Sequence, residues 1–271
     1  REGAHLSNYY EALAASKETT KVYLATPDES IIPAARKGLG PKFAGSYPSP
    51  AALLAVVKPQ LTLVSLEPKL APAAIRAALE AGSHVLAEKP AVLNSEQFAS
   101  LAKLAREKKR QLMLALANRT DPLVIFARDY VGRGQIGRVF GVELHIIADQ
   151  TRLKNPNYGK SWYAQKARAG GGHLIWLGIH WLDLAMNITR SHVSEVAAFY
   201  TNVGGQKLDV EDSATLALKF DQGFLGTMTS GYYLDRGYHT HMKIWGSAGW
   251  IEFHRHGADV PLRYYLSLIH I

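Results

Sequence analysis

Three stretches of the chain carry side chains suited to handling a small polar substrate. In Ala87-Glu88-Lys89-Pro90, a carboxylate and an ammonium follow directly on an apolar, strand-like run. Pro90 fixes its own φ and biases Lys89 towards extended backbone, and a cis peptide is accessible at the bond between them. An ammonium fixed at a strand end binds a hydroxyl or a ribose. Beside another cation its pKa falls, which favours proton transfer. The plainer alternative is an exposed turn lysine. The second stretch is Gly170-Gly171-Gly172-His173 and its continuation to Asp183. At 3.6 residues per turn, His173, Trp176, Leu177, His180 and Leu184 share one helix face. Two imidazoles and an indole then line a pocket floor, and Asp183, three residues from His180, is placed to orient its ring. The alternative is a core helix with a satisfied histidine. The third stretch, Ser161-Trp162-Tyr163 with Lys166 and Arg168, offers rings that stack and cations that hold hydroxyls. Its alternative is an aromatic plug at a domain junction.

No metal ligands are expected in this chain. His173 and His180 lie seven apart rather than four, no carboxylate stands between them, and the chain has no cysteine.

The surrounding pattern shows what positions these groups. Strand-like runs at residues 21–25, 60–66, 84–87 and 110–117 alternate with helical runs at 31–39, 51–57, 72–81 and 95–109. That alternation implies βαβ units and a parallel α/β sheet, which binds ligands beyond the carboxyl ends of its strands. After a helix at 122–131 the character changes. An apolar β-rich run at 139–148 and a helix at 172–187 precede alternating strands at 193–200, 213–220, 224–232, 241–246 and 250–254. This predicts an α+β domain on a large, mostly antiparallel sheet with one face free. The boundary falls near Asn118, giving domains at 1–117 and 118–263. Residues 264–271 read as a non-native tail outside the fold.

The 271 residues are 47% hydrophobic and 20% charged, so the chain can bury a core in two domains and is not disordered. No run approaches the roughly 20 apolar residues of a membrane span. The net charge of +8 is spread along the chain. Its densest cluster, Arg106 to Arg110, is read as a solvated helix end rather than a nucleic-acid patch. The start, Arg1-Glu2-Gly3-Ala4-His5, has no signal-peptide character and no initiator Met. Gly3 and His5 fit the tail of a Gly-rich turn with its helix at 4–16, so the first strand and most of that turn are expected to be missing.

Together these segments resemble the Gfo/Idh/MocA family, the glucose–fructose oxidoreductase and inositol dehydrogenase type. The stretch 77–90, ending Ala87-Glu88-Lys89-Pro90, is similar to that family's EKP segment. Asn118-Arg119-Thr120-Asp121-Pro122 resembles the start of its second domain, Gly134-Gln135-Ile136-Gly137 the entry into its large sheet, and residues 170–183 its glycine–helix motif. Val210-Glu211-Asp212-Ser213-Ala214 and Gly223-Phe224-Leu225-Gly226 match its central strands.

The resemblance implies a Rossmann-type domain binding NAD or NADP, with a sugar or cyclic polyol between it and the second domain. It implies Lys89 and His180 as catalytic residues, with His173 in support. It assigns the cofactor to Thr26, Asp28, Leu66, Pro68, Glu88, Lys89, Asn118 and Trp162. Substrate falls to Lys89, Tyr163, Trp176 and His180. It further implies a cytoplasmic enzyme that forms homo-oligomers through the large sheet. Three positions depart from the pattern. Trp176 replaces an acidic residue near His180, Thr26 stands where many members have a ribose-binding Asp, and residues 66–71 replace a TPNxxH loop. A net dehydrogenase, a redox-neutral lyase or glycosidase, and a non-catalytic sugar or cofactor sensor all remain open at this point. Without the phosphate-binding turn, this stretch of chain is expected to bind dinucleotide weakly.

Overall fold

A computed structural model describes residues 5–254 and 259–267. Gly3, read above as the end of a Gly-rich turn, and residues 268–271 lie outside the described residues. The chain divides into two compact units, Arg1–Ala115 and Leu116–Ile271.

The first unit runs α1 (Leu6–Ala15), β1 (Val22–Ala25), α2 (Ile32–Leu39), β2 (Phe43–Tyr47), α3 (Pro50–Val57), β3 (Leu61–Val64), α4 (Ala71–Glu80), β4 (His84–Ala87), α5 (Ser95–Glu107) and β5 (Leu112–Leu114). Strand β1 pairs in parallel with β2, and β3, β4 and β5 form a second parallel sheet in that order. Local chemistry sets the helix ends. Asn94 accepts the Gln97 N–H at 3.0 Å and Ser49 the Ala52 N–H at 3.2 Å, while Pro50 and Pro72 sit in first turns where their missing N–H costs nothing. Ile75, Ala78 and Leu79 of α4 pack with Leu101 of α5 on Val64, Val85 and Ala87. Strand β2 was not expected, because Gly45 and Ser46 break the apolar alternation. The expected strand at 110–117 shortens to three residues, and Ala117–Thr120 forms a 3₁₀ turn.

The second unit runs α6 (Pro122–Gly132), β6 (Val139–Asp149), α7 (Thr151–Lys154), α8 (Lys166–Ala169), α9 (Ile179–Thr189), β7 (Val193–Thr201), β8 (Ser213–Phe220), β9 (Leu225–Leu234), β10 (Tyr238–Gly246), β11 (Gly249–Phe253) and β12 (Leu262–Leu266). The seven strands form one sheet in the order β12-β11-β10-β6-β9-β8-β7. Every neighbouring pair is antiparallel except β6 with β9. The period-two alternation puts Val142, Leu144, Ile146, Leu216, Met228, Met242 and Ile244 on one face. There they meet Val124 and Ala127 of α6 and Trp181, Leu184 and Ile188 of α9. The opposite face carries no helix of this core, and Phe199 and Thr215 stand exposed on it. The reading of residues 264–271 as a segment outside the fold is corrected for Tyr264–Leu266. These residues belong to β12, which pairs along β11 with Tyr265 opposite Trp250, their rings stacked 6.1 Å apart. An apolar edge strand gives even a short aromatic segment a ladder to join.

Leu144 lies fully buried on the central strand β6. Leu144→Ala is expected to destabilise the protein by about 2–5 kcal/mol, read as a lowered urea midpoint.

Candidate active site

In the first unit the expected residues gather at the carboxyl ends of β1, β3 and β4. Thr26 follows β1, its N–H donates to the Tyr47 carbonyl at 2.9 Å, and its Oγ1 accepts the Asp28 N–H at 3.0 Å. Asp28 uses Oδ1 to cap the short turn Glu29–Ile31 through the Ser30 N–H. After β3, Leu66 packs on the core, Pro68 is buried, and the Glu67 carbonyl accepts the Leu70 and Ala71 N–H groups that open α4.

After β4 come Glu88 and Lys89, both buried, with a cis Lys89–Pro90 bond. Glu88 Oε1 accepts Tyr9 Oη at 2.7 Å and meets His5 Nδ1 at 2.9 Å, while Oε2 accepts the Lys89 N–H at 2.9 Å. Burial alone would raise the Glu88 pKa. The hydrogen bonds from His5, Tyr9 and the Lys89 backbone outweigh it and hold the carboxyl below its ordinary range. The same burial and carboxylate push the Tyr9 phenol well up. Glu88 therefore ties the start of α1 to the end of β4 and fixes the backbone that carries Lys89.

In the second unit, the glycine-rich stretch departs from the regular helix expected of it. Leu174–Gly178 forms a π turn that runs into α9. This wider turn replaces the 3.6-residue spacing on which the shared face of His173, Trp176 and His180 was expected. His173 is fully buried, its Nδ1 lies 2.7 Å from Ser230 Oγ, and its ring stands edge-on to Tyr232 with centroids 4.3 Å apart. Trp176 joins Trp162 and Tyr163 instead, at centroid separations of 5.2 and 5.8 Å. Trp162 and Tyr163 are themselves 5.6 Å apart, so the three aromatic residues form one cluster.

One residue holds the turn. The Glu211 carboxylate accepts the Gly172 N–H at 2.7 Å and the Leu174 N–H at 3.0 Å, and its carbonyl accepts the His173 N–H at 3.0 Å. A Cβ on Gly172 would sit 1.8 Å from that carbonyl oxygen. Gly178 permits a second close approach, since a Cβ there would come within 3.1 Å of Leu174, Met228 and Ser230. His180 follows at the first turn of α9, half-buried, with its Nδ1 inside the protein.

The expected link from Asp183 to His180 is corrected. Asp183 is buried and accepts Arg119 Nε at 2.8 Å and Arg119 Nη2 as well. The guanidinium fork matches both carboxylate oxygens, and the paired carboxylate raises the Arg119 pKa further. Asn118 sits beside Arg119 in the 3₁₀ turn before α6. His5, Tyr9, Arg119, Glu211, Ser230 and Tyr232 were not expected to act here, because their partners lie far away in sequence. Of these, His5, Arg119 and Glu211 fell within stretches already singled out. The expectation of no metal ligands weighed only His173 and His180. Elsewhere in this unit, Glu143, His145 and His241 bring their ligand atoms within 4.8 Å of one another, as do His241, Glu252 and His254.

Three outcomes are expected. Gly172→Ala, forced against the Glu211 backbone, lowers the melting temperature by the equivalent of about 1–3 kcal/mol. Arg119→Met leaves Asp183 buried without its guanidinium and costs about 2 kcal/mol in chemical denaturation. Glu88 stabilises the fold above its unfolded pKa, and that stability is lost as pH falls through its lowered folded value. Glu88→Gln therefore flattens the stability-against-pH curve on the acid side of the ordinary carboxylate range.

The first unit matches, over residues 3–116, the model described as the oxidoreductase family with an NAD-binding Rossmann fold. Residues 124–252 match the GFO/IDH/MocA C-terminal domain. The levoglucosan dehydrogenase of Pseudarthrobacter phenanthrenivorans is 26% identical over 204 residues, 68% of this chain and 49% of that protein. The D-glucoside 3-dehydrogenase of Escherichia coli is 28% identical over 206 residues, 71% of this chain and 57% of that one. A solved oxidoreductase domain protein from Kribbella flavida superposes with a TM-score of 0.79 at 25% identity, covering 91% of this chain and 71% of its own. The WlbA dehydrogenase of Bordetella pertussis, solved with NADH and UDP-GlcNAcA, shares the fold with a TM-score of 0.86 at 18% identity, covering 98% and 82%. The chain spans about half the length of the curated relatives it matches. Two family models in order, covering most of the chain and both of its units, show that it belongs to the Gfo/Idh/MocA oxidoreductase family.

Proposed function

We propose that the protein is an NAD(P)-dependent oxidoreductase acting on a sugar or cyclic polyol. The observation that carries this reading is Lys89, buried at the carboxyl end of β4 on backbone fixed by Glu88. The residues present fit a dinucleotide. Helix α1 opens with no side-chain cap at His5 and no acidic residue in its first turn, which leaves backbone N–H groups and the positive end of the helix dipole for an anionic group. Thr26, Asp28, Leu66 and Pro68 stand at the neighbouring strand ends, where ribose and nicotinamide contacts belong in such a sheet. When bound, the nicotinamide supplies hydride transfer.

The chain's own residues bind, orient and move protons. Lys89 Nζ donates to a substrate hydroxyl and fixes its carbon. In the second unit His180, with Nδ1 inside the protein, is the residue suited to exchange a substrate proton through Nε2. Trp162, Tyr163 and Trp176 present aromatic surface on which the apolar face of a sugar ring packs. His173, sealed against Ser230 and Tyr232, acts as a positioning residue for the π turn rather than as a group touching substrate. The sugar-dehydrogenase relatives support the substrate class.

Lys89→Ala tests the reading with the longest available form of the protein. Turnover, followed as nicotinamide absorbance with a panel of sugars and polyols, is expected to fall by about 100-fold or more. Cofactor affinity by titration stays within a few-fold. Unchanged turnover, or an equal loss of both quantities, overturns it. His180→Gln is expected to lower kcat by about 100-fold and to leave cofactor binding intact.

A further inference from the structure

The open face of the second sheet carries a cluster of side chains that the proposed reaction does not use. Residues two apart on a strand share a face, and cross-strand partners stand within reach of one another. His241 of β10 lies opposite His145 of β6, and Lys243 of β10 lies between Glu143 of β6 and Glu252 of β11. His254 follows two residues after Glu252, and Arg263 of β12 pairs opposite Glu252 on the far side.

Within this cluster Glu252 Oε1 lies 3.2 Å from His241 Nε2 and 2.8 Å from His254 Nε2. The His241 and His254 rings are 5.0 Å apart. Lys243 Nζ approaches the other oxygen, Oε2, at 3.5 Å, and it sits over the rings of Trp245 and Trp250 at 4.2 and 4.1 Å. The ammonium is therefore seated on one side of the carboxylate, and both imidazole nitrogens converge on the other. His145 Nε2 and Glu143 Oε1 stand alongside, 3.3 Å from each other.

We propose that His241, Glu252 and His254 form a binding site for a zinc-class divalent cation. Two imidazoles and a carboxylate are the donor set that zinc and its neighbours prefer over magnesium or calcium. Donors about 2.0–2.1 Å from a tetrahedral ion stand roughly 3.3 Å apart, and here the two carboxylate–imidazole separations are 3.2 and 2.8 Å, with all three atoms within 4.8 Å of one another. The ligands project from paired strands, so little ordering is needed to assemble them. Three protein ligands leave a fourth position for water. Each imidazole would offer an unprotonated Nε2, and the carboxylate would offer the oxygen not used by Lys243.

The test uses the whole chain, stripped with a chelator and titrated with Zn²⁺ by calorimetry. A parallel titration with Co²⁺ follows the visible absorption that reports tetrahedral geometry. One equivalent is expected to bind. His241→Ala and His254→Ala are each expected to weaken affinity by about 100-fold or more, since removing even an outer-shell partner costs 10–100-fold. Glu252→Gln weakens it less but lowers the cobalt absorption. His192→Ala, which removes an exposed imidazole paired with Asp221, leaves the titration unchanged. Absence of saturable uptake by the wild-type chain overturns the proposal without any variant, and so does uptake that survives both histidine substitutions. His180→Ala separates this site from the proposed reaction: metal uptake lost there, and kept in His254→Ala, also overturns it.

Discussion

Glu211 is the point on which the second unit turns. Three successive backbone N–H groups, from Gly172, His173 and Leu174, end on its carboxylate and its carbonyl. Helix starts leave such donors unsatisfied, and burying them without acceptors is costly. Here one residue from the segment before β8 supplies every acceptor, provided nothing intervenes. A side chain at position 172 would collide with the Glu211 backbone, so glycine is the condition for the contact. The neighbouring Asp212 does similar work, accepting the Val203 and Gly204 N–H groups at 2.8 and 2.7 Å. Two adjacent carboxylates thus pin the glycine turn and the loop after β7 to one short segment.

The first unit has a smaller counterpart in Glu88. Its two oxygens join α1, through His5 and Tyr9, to the backbone of Lys89. In both units a buried or half-buried acid is satisfied by several donors. In each case the acid holds backbone in place, that of Lys89 in the first unit and that of the glycine turn in the second. Asp183 follows the same logic, since its pairing with Arg119 fastens α9 to the turn before α6. The Trp176 position, where the resemblance leads one to look for an acid, instead contributes to a three-ring aromatic wall.

Much of the architecture was legible because its signals are local. Apolar runs after Gly and before Glu-Lys-Pro, helices begun by Asn94 or Pro122 and strands with period-two alternation each report their own conformation. The same locality explains the errors. Strand β2 has a weak alternation and exists through its pairing with β1. Strand β12 is a strand because β11 offers it an edge, and nothing in Tyr264-Tyr265-Leu266 taken alone distinguishes a strand from a tail.

The sequence by itself determined most of the order of elements and the two-unit plan, because these depend on residue type and short spacing. It also displayed the glycines at 170–172, whose only advantage is the absence of a side chain. Tertiary structure decided which partner each charged group takes. The three-residue spacing suggested His180 for Asp183, yet the fork of Arg119 satisfies both carboxylate oxygens and prevails. The π turn at Leu174–Gly178 packs against Glu211 at one end and β9 at the other. The cluster of His241, Glu252 and His254 depends on strand register, since the pairing of β10 with β11 brings His241 to Glu252 and its near neighbour His254.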